Sequence, residues 1–314
     1  MGRYVAKRLL HSALLFWIVT VVVFAIVRQA PGGPAILSNP NLTRDQMANL
    51  REGMGLDKPL YVNYLDWIQN VLRGDLGVSF NEGLPVSALI ADRLPNTLLL
   101  GLAAFMLALI FGIALGVLSA IRRDSWVDYL ASAVGVLNLS VPVFWLGIVL
   151  ILVFAVQLRW LPVGGMHSSD SSGTLDLLLH IVMPAIVASG FTVANVMRYT
   201  RSSLLEVIDQ LYITAARAMG IRERRVILLH AMKNAMLPVV TVIGFSLPQL
   251  FGGAAITETV FSWPGIGALG ITAARTGDFP VILGITLVVS AVVILANLLT
   301  DLSYSLLDPR VKLQ

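Results

Sequence analysis

Apolar positions in this chain gather into runs that are too long for the helices of a soluble domain and too continuous for strands. Six such runs lie at 9–27, 97–121, 131–156, 177–196, 236–256 and 281–300. A helix rises 1.5 Å per residue, so about 20 mostly apolar residues cross the hydrocarbon of a bilayer. The pattern therefore predicts an all-α integral membrane protein with six transmembrane helices. Pro142, Pro184 and Pro248 interrupt three runs, which membrane helices tolerate where neighbours satisfy the freed backbone groups. Barrel strands would instead read as segments of about ten residues with alternating polarity. Arg3, Lys7 and Arg8 precede the first run as they would in a signal peptide, but the run exceeds a signal core and Gln29-Ala30-Pro31-Gly32 is a poor cleavage site. We read it as an uncleaved helix.

Shorter periodic patterns fill the gaps. Within 28–96, Thr43-Arg44-Asp45-Gln46 has the spacing of a capping box. Asp57-Lys58-Pro59 opens a second helix, with Leu60, Tyr64, Trp67, Ile68 and Val71 on one face and Gly74 as its stop. A third short helix at 86–94 leads into the second span. This external segment reads either as a cap packed on the bundle or as a surface for docking or substrate entry. Within 197–235, Leu204, Ile208, Leu211, Ala215 and Met219 recur at helical spacing, Gly220 ends the pattern, and Arg222-Glu223-Arg224-Arg225 follows. That predicts one amphipathic helix, too polar to span, which either rests on the anionic leaflet or presents a face to a partner.

Composition supports the membrane reading. Of 314 residues, 57% are hydrophobic and 13% charged, about half the charge of a soluble domain. The absence of cysteine excludes disulfides, thiolate metal sites and cysteine nucleophiles. The net charge of +4 matters less than its distribution. With the N-terminus inside, the inner segments hold Arg3, Lys7, Arg8, Arg122, Arg123, Arg198, Arg201, Arg217, Arg222, Arg224, Arg225, Lys233, Arg310 and Lys312, whereas the short outer loops hold only Arg159 and Arg275. The Lys/Arg bias predicts a multi-pass protein with both termini cytoplasmic.

Chemistry narrows the options further. No G-x-x-x-x-G-K-[ST] phosphate loop, H-E-x-x-H or G-x-S-x-G occurs, and no carboxylate pair falls within a span. We therefore expect no catalytic residues and no cofactor bound by this chain. His11, His167, His180 and His230 share no metal-ligand spacing, so no metal site is assigned. Gly112 and Gly116 form a G-x-x-x-G suited to close helix packing. Asn138, Asn195, Gln249 and Asn297 are polar residues inside spans, and Glu258 lies at the outer end of the fifth. These five are candidates to line a pathway, against the alternative of hydrogen bonding between helices.

One segment carries a resemblance. Thr214-Ala215-Ala216-Arg217-Ala218-Met219-Gly220 resembles the E-A-A-x-x-x-G signature of permease subunits of ATP-binding-cassette importers, with Thr214 in place of the usual glutamate. His230 to Val240 resembles the dipeptide, oligopeptide and nickel branch. So do Gly55-Leu56-Asp57-Lys58-Pro59-Leu60, Arg73-Gly74-Asp75-Leu76-Gly77, Arg93-Leu94-Pro95-Asn96-Thr97-Leu98, Glu258 through Gly267 and Leu307-Asp308-Pro309-Arg310. Together they are similar to the first of that branch's two permease subunits.

The resemblance implies a single permease domain over 1–314, with core helices over 97–305 and a coupling loop at 197–235. It implies that Thr214, Ala215, Ala216, Arg217, Met219, Gly220, Arg222 and Arg224 engage a cytoplasmic ATPase. It further implies a place in the cytoplasmic membrane and, as partners, a homologous second permease, two ATPase subunits or domains that carry ATP and Mg, an extracytoplasmic binding protein and the lipid bilayer, with no nucleic acid. Di- or oligopeptides are the expected substrate, with glutathione, nickel chelates or oligosaccharides as alternatives. Outside the family, the rivals are an ion-coupled secondary transporter, which would show an inverted repeat and buried ionisable groups at mid-membrane, and a membrane enzyme.

Overall fold

The computed structural model describes residues 2–29, 43, 45–46, 58–168 and 173–307, with side chains apart from those at 2–6, 247–254, 299 and 301–307. These residues are helical apart from turns and one isolated antiparallel bridge, Val78 to Pro85. The helices are α1 (Gly2–Gln29), α2 (Leu60–Leu72), α3 (Val86–Ile121), α4 (Trp126–Ser140) and α5 (Val143–Leu150), which runs into a π-helical stretch Ile151–Gln157. They continue with α6 (Thr174–Ile208), α7 (Leu211–Ala218), α8 (Met232–Val260), α9 (Ile266–Thr276) and α10 (Phe279–Leu307). A turn Glu223–Arg225 and a π-helical stretch Val226–Ala231 lead into α8.

Five of these helical segments are long and apolar enough to cross a membrane, and a sixth is counted if the pair Trp126–Ser140 and Val143–Gln157, bent by 110°, forms one span. The bend has a local cause. Val141 precedes Pro142 and takes an extended conformation with ψ 126°, as a residue before proline must when the α region is closed to it. Pro142 then starts the next helix. The run at 131–156 is thus two helices rather than the single one its apolar pattern suggests.

A second difference concerns the inner loop. The stripe Leu204, Ile208, Leu211, Ala215, Met219 is not one helix face. The helix breaks at Asp209 and Gln210, where Gln210 has ψ 147°, and the break resets the phase. Leu204, Ile213 and Ala216 are buried, whereas Leu211 is 87% and Met219 73% exposed.

The chain divides into two compact units, Met1–Thr97 with Pro264–Gln314, and Leu98–Trp263. In the first, Val86, Leu89 and Ile90 of α3 pack with Leu269 of α9 and Val281 and Ile285 of α10. Gly284 makes this approach possible, because a β-carbon there would lie 2.6 Å from the Val86 side chain. Beside that core, Tyr64 and Trp67 of the α2 face anticipated from periodicity meet α1, while Leu60 is exposed. The rings of Tyr64 and Trp67 stand 5.5 and 5.3 Å from Phe24, and Arg28 donates to Asn63 at 3.0 Å. Gly74, at φ +85°, stops α2 as its position suggested. The capping box also forms: the Thr43 amide donates to Gln46 Oε1 at 2.9 Å, and the Gln46 amide to Thr43 Oγ1 at 3.3 Å.

Within this first unit, two of the motifs quoted above meet. Asn96 Nδ2 donates to the Pro264 carbonyl at 2.9 Å, and the Ile266 amide, at the start of α9, donates to Thr97 Oγ1 at 2.9 Å. The second unit is organised around α6. Gly112 and Gly116 of α3 press against it so closely that a β-carbon at either would lie 2.8 Å from Val196 or 2.6 Å from Thr200. The G-x-x-x-G is therefore used inside this chain, to bring two helices together. At about 1.5 Å per residue, the 35 residues of α6 run to about 50 Å, well beyond a hydrocarbon core of about 30 Å. Its last turns carry Arg198 and Arg201 past the apolar run.

Candidate functional site

The helix α7 is short, and its ends are fixed by specific bonds. At its C-terminus the Gly220 amide donates to the Arg217 carbonyl at 3.0 Å, and the Ile221 amide to the Ala216 carbonyl at 3.3 Å. This is the paired closure of a Schellman cap. Gly220 adopts φ +75°, and nothing lies within 4 Å of where its β-carbon would be. The glycine is thus required by backbone conformation, not by crowding. Arg217 closes the turn from outside, with Nη2 2.7 Å and Nε 3.1 Å from the two Glu223 oxygens. That bidentate bond raises the guanidinium's pKa above its already high ordinary value, so Arg217 stays charged at any accessible pH.

The inward face of α7 is apolar and fully used. Ile213 and Ala216 pack with Leu204 of α6, Ala120 of α3, Val226 and Ala231 on the approach to α8, and Ala235 within α8. Asn234 Nδ2 also donates to the Tyr212 hydroxyl at 2.7 Å. The outward face carries Leu211, Ala215 and Met219, one helical turn apart, all exposed, beside exposed Thr214 and Arg217. A cleft of about 780 Å³ opens next to it, lined by Met219, Gly220, Arg222, Arg224, Arg225 and Leu228 among others. Of the eight residues expected to engage an ATPase, seven are exposed and Ala216 is turned into the protein's own core.

The polar residues expected along a pathway are dispersed. Asn138 Nδ2 donates to the Val134 carbonyl of its own helix at 2.9 Å, while its Oδ1 lies against Gly190, where a β-carbon would have no room. Asn195 donates to the Phe191 carbonyl at 3.0 Å and accepts from Arg198 at 3.2 Å. Asn297 is exposed on α10. Among the described residues no hydrogen bond joins these three. Gln249 lies on α8, with its side chain outside the described residues. Glu258 is fully enclosed at the end of α8, and its carbonyl accepts from the Trp263 amide at 2.8 Å. Between them the chain reverses through Ser262 at φ +51°, which buries Trp263 completely. The Phe261 carbonyl accepts from the Gly165 amide at 2.8 Å.

Sequence reasoning missed three buried or clustered acids. Asp128, in the first turn of α4, accepts from Arg201 Nε at 2.8 Å and Nη2 at 2.7 Å, from the Asp124 amide at 3.1 Å, and from Ser119 Oγ. Asp176 accepts from the Ser168 amide and hydroxyl at 2.9 and 2.7 Å, and lies 3.2 and 3.4 Å from His167 and His180. Asp278, 2% exposed, accepts from Ser79 Oγ at 2.6 Å and from the Asn81 amide at 3.2 Å. A local signal existed for Asp128, since Ser125-Trp126-Val127-Asp128 has capping-box spacing; Ser125 Oγ does accept from the Asp128 amide, at 3.5 Å.

Comparison with known proteins covers nearly the whole chain. Residues 112–313 match the family model described as "Binding-protein-dependent transport system inner membrane component", and residues 1–101 match one described as "Binding-prot-dependent transport system membrane comp, N-term". A protein of Brucella suis biovar 1 (strain 1330), named for a peptide permease, is 44% identical, with 99% of each chain covered. The oligopeptide transport system permease protein AppB of Bacillus subtilis (strain 168) is 39% identical over 99% of this chain and 100% of its own. Among solved structures, an inward-facing MetNI methionine ABC transporter chain superposes with a TM-score of 0.56 at 21% identity, over 70% of this chain and 96% of that one. That likeness extends to the fold.

Proposed function

Because the chain belongs to the family of binding-protein-dependent transport system inner membrane components, an ATP-binding-cassette importer permease, we propose that it forms, with a homologous second permease, the pathway for di- or oligopeptides. The names of its relatives support the substrate class. ATP and Mg act on two separate cytoplasmic ATPase subunits, and an extracytoplasmic binding protein delivers the peptide. The Lys/Arg distribution supports cytoplasmic termini and an external segment at 28–96. Transport proceeds by alternating access: ATP and substrate favour different conformations of one assembly, and α7 carries the movement of the ATPases into the spans.

The observation that carries this reading is the two-faced packing of α7. One face is sealed into the protein's own core, and the other leaves Leu211 and Met219 largely exposed. An apolar stripe with basic neighbours fits a cleft in a partner, and the Schellman cap and the Arg217–Glu223 pair hold it rigid. The test is co-purification of the ATPases, together with uptake and ATP hydrolysis, for Ala215→Glu and Gly220→Val. Ala215→Glu places a charge in the docking face and is expected to reduce ATPase recovery about tenfold. Gly220→Val forces a β-branched residue to φ +75°, distorts the cap and uncouples hydrolysis from uptake. Normal recovery and normal uptake in both variants would overturn the docking assignment. Ala216→Glu is a poor test, because its side chain points inward.

A further inference from the structure

We propose that Asp128 and Arg201 are positioning residues for coupling: their ion pair makes the ends of α3, α4 and α6 a single block, so that displacement of α7 moves all three together. The proposal rests on the coupling role given to α7 above.

The geometry is a stack of three contacts along α6. First, Met197 and Thr200 close against Gly116 of α3 with no space between the helices. Next comes Arg201, whose planar guanidinium reaches both oxygens of Asp128 on α4. One turn further, Leu204, which is fully buried, sits in the core that holds Ile213 and Ala216 of α7. Seam, ion pair and α7 core are therefore successive layers on one helix.

The ion pair joins more than two elements. The Asp128 side chain is 4% exposed, and its donors come from α6 (Arg201), from α3 (Ser119) and from the turn between α3 and α4 (Asp124). That turn is tight, with Asp124 at φ +59°. A bidentate guanidinium–carboxylate contact fixes angle as well as distance. Stability alone is a weak account of such a contact, because apolar packing of the same volume generally stabilises as well or better. What the pair adds is fixed orientation. Below it the α6–α7 connection is a break at Asp209 and Gln210, a point at which a push on α7 would be lost if the helix ends above it could shift separately.

The test uses the full transporter, this chain with its second permease, ATPases and binding protein, reconstituted in vesicles. Uptake of a labelled tripeptide that the wild type transports is measured beside ATP hydrolysis for Asp128→Asn and Arg201→Lys. We expect both variants to assemble with their ATPases. Asp128→Asn should keep hydrolysing ATP, with less dependence on loaded binding protein, and move about fivefold less peptide per ATP. Arg201→Lys keeps the charge but loses the fork, and should show a smaller fall. The double variant Asp128→Asn with Arg201→Gln removes the stranded charge, so it should regain thermal stability without regaining uptake per ATP. The proposal is overturned if uptake per ATP is unchanged, if uptake and hydrolysis fall only in proportion to assembled complex, or if the double variant recovers both. Ala215→Glu, run in parallel, separates the two readings. If it abolishes ATPase recovery while the ion-pair variants keep full uptake per ATP, the docking reading stands and the positioning role is wrong.

Discussion

Two buried aspartates show how differently the two units of this chain hold a charge away from water. Asp128 meets a guanidinium head-on, a backbone amide and a hydroxyl, so both of its oxygens are satisfied. Asp278 is equally enclosed, yet its donors among the described residues are neutral groups of Ser79 and Asn81, all directed at Oδ2. Its Oδ1 is buried and finds no hydrogen-bond partner among the described residues. Burying a carboxylate is costly unless it is paired and fully hydrogen-bonded. The first arrangement fixes three helices by geometry. The second ties the loop after α2 to the turn between α9 and α10, and leaves part of the desolvation cost uncompensated.

The largest effect that separates the two sites comes from removing the cation. Arg201→Met leaves Asp128 with its amide and hydroxyl donors but no opposing charge. Breaking a fully buried pair costs about 3–5 kcal/mol. Arg201's side chain keeps 30% of its exposure, so solvent screening reduces this to about 2–3 kcal/mol. The readout is the thermal unfolding midpoint of the solubilised transporter. No shift would mean that the hydroxyl and amide suffice, and would erase the contrast with Asp278.

The asymmetry also explains which parts of the molecule were legible from residues alone. Local chemistry was legible: the capping box at Thr43 and Gln46, the stop at Gly74, the proline start of α2 and the Gly220 turn all formed where short-range spacing put them. Membrane-length runs were legible because length and apolarity suffice. The phase of the inner helix was not, since the break at Asp209 and Gln210 involves neither glycine nor proline, and extrapolating the stripe through it rotated every later residue. Nor were the pairings across long separations. Asn96 and Pro264 are 168 residues apart, Asp128 and Arg201 are 73 apart, and Ser79 and Asp278 are 199 apart. Periodicity reports which face a residue occupies, and carries nothing about the partner waiting there.

A smaller effect is expected from the neutral side of the comparison. Ser79→Ala deletes the shortest bond to Asp278, 2.6 Å, and the acceptor for the Glu82 amide at 3.0 Å. A hydrogen bond to a charged group contributes about 1.5–3 kcal/mol, and the remaining Asn81 donors hold part of it, so a loss of about 1.5 kcal/mol is expected. Because the change is confined to the first unit, uptake per ATP should not move. A fall in that ratio would show that this loop takes part in transport.

The smallest effect makes the sharpest contrast: the same substitution, aspartate to asparagine, at both sites. At Asp128 it strands the Arg201 guanidinium beside a neutral amide, so the variant loses the charge-assisted fork and leaves a half-buried cation unpaired. At Asp278 no cation is abandoned, because no ion pair involves Asp278 among the described residues. An asparagine there can still accept from Ser79 and Asn81 through its one oxygen. The weaker bonds to a neutral acceptor, and an amide Nδ2 that takes the enclosed place of Oδ1, are offset by no longer burying a charge. Asp278→Asn should therefore change stability by less than about 1 kcal/mol, in either direction, whereas Asp128→Asn should cost clearly more. Equal losses would mean that Asp278 is matched by a positive group beyond the described residues or on a partner subunit. Measuring both variants in the isolated chain and in the assembled transporter distinguishes these two sources, because only a partner's charge would make the Asp278→Asn loss appear on assembly.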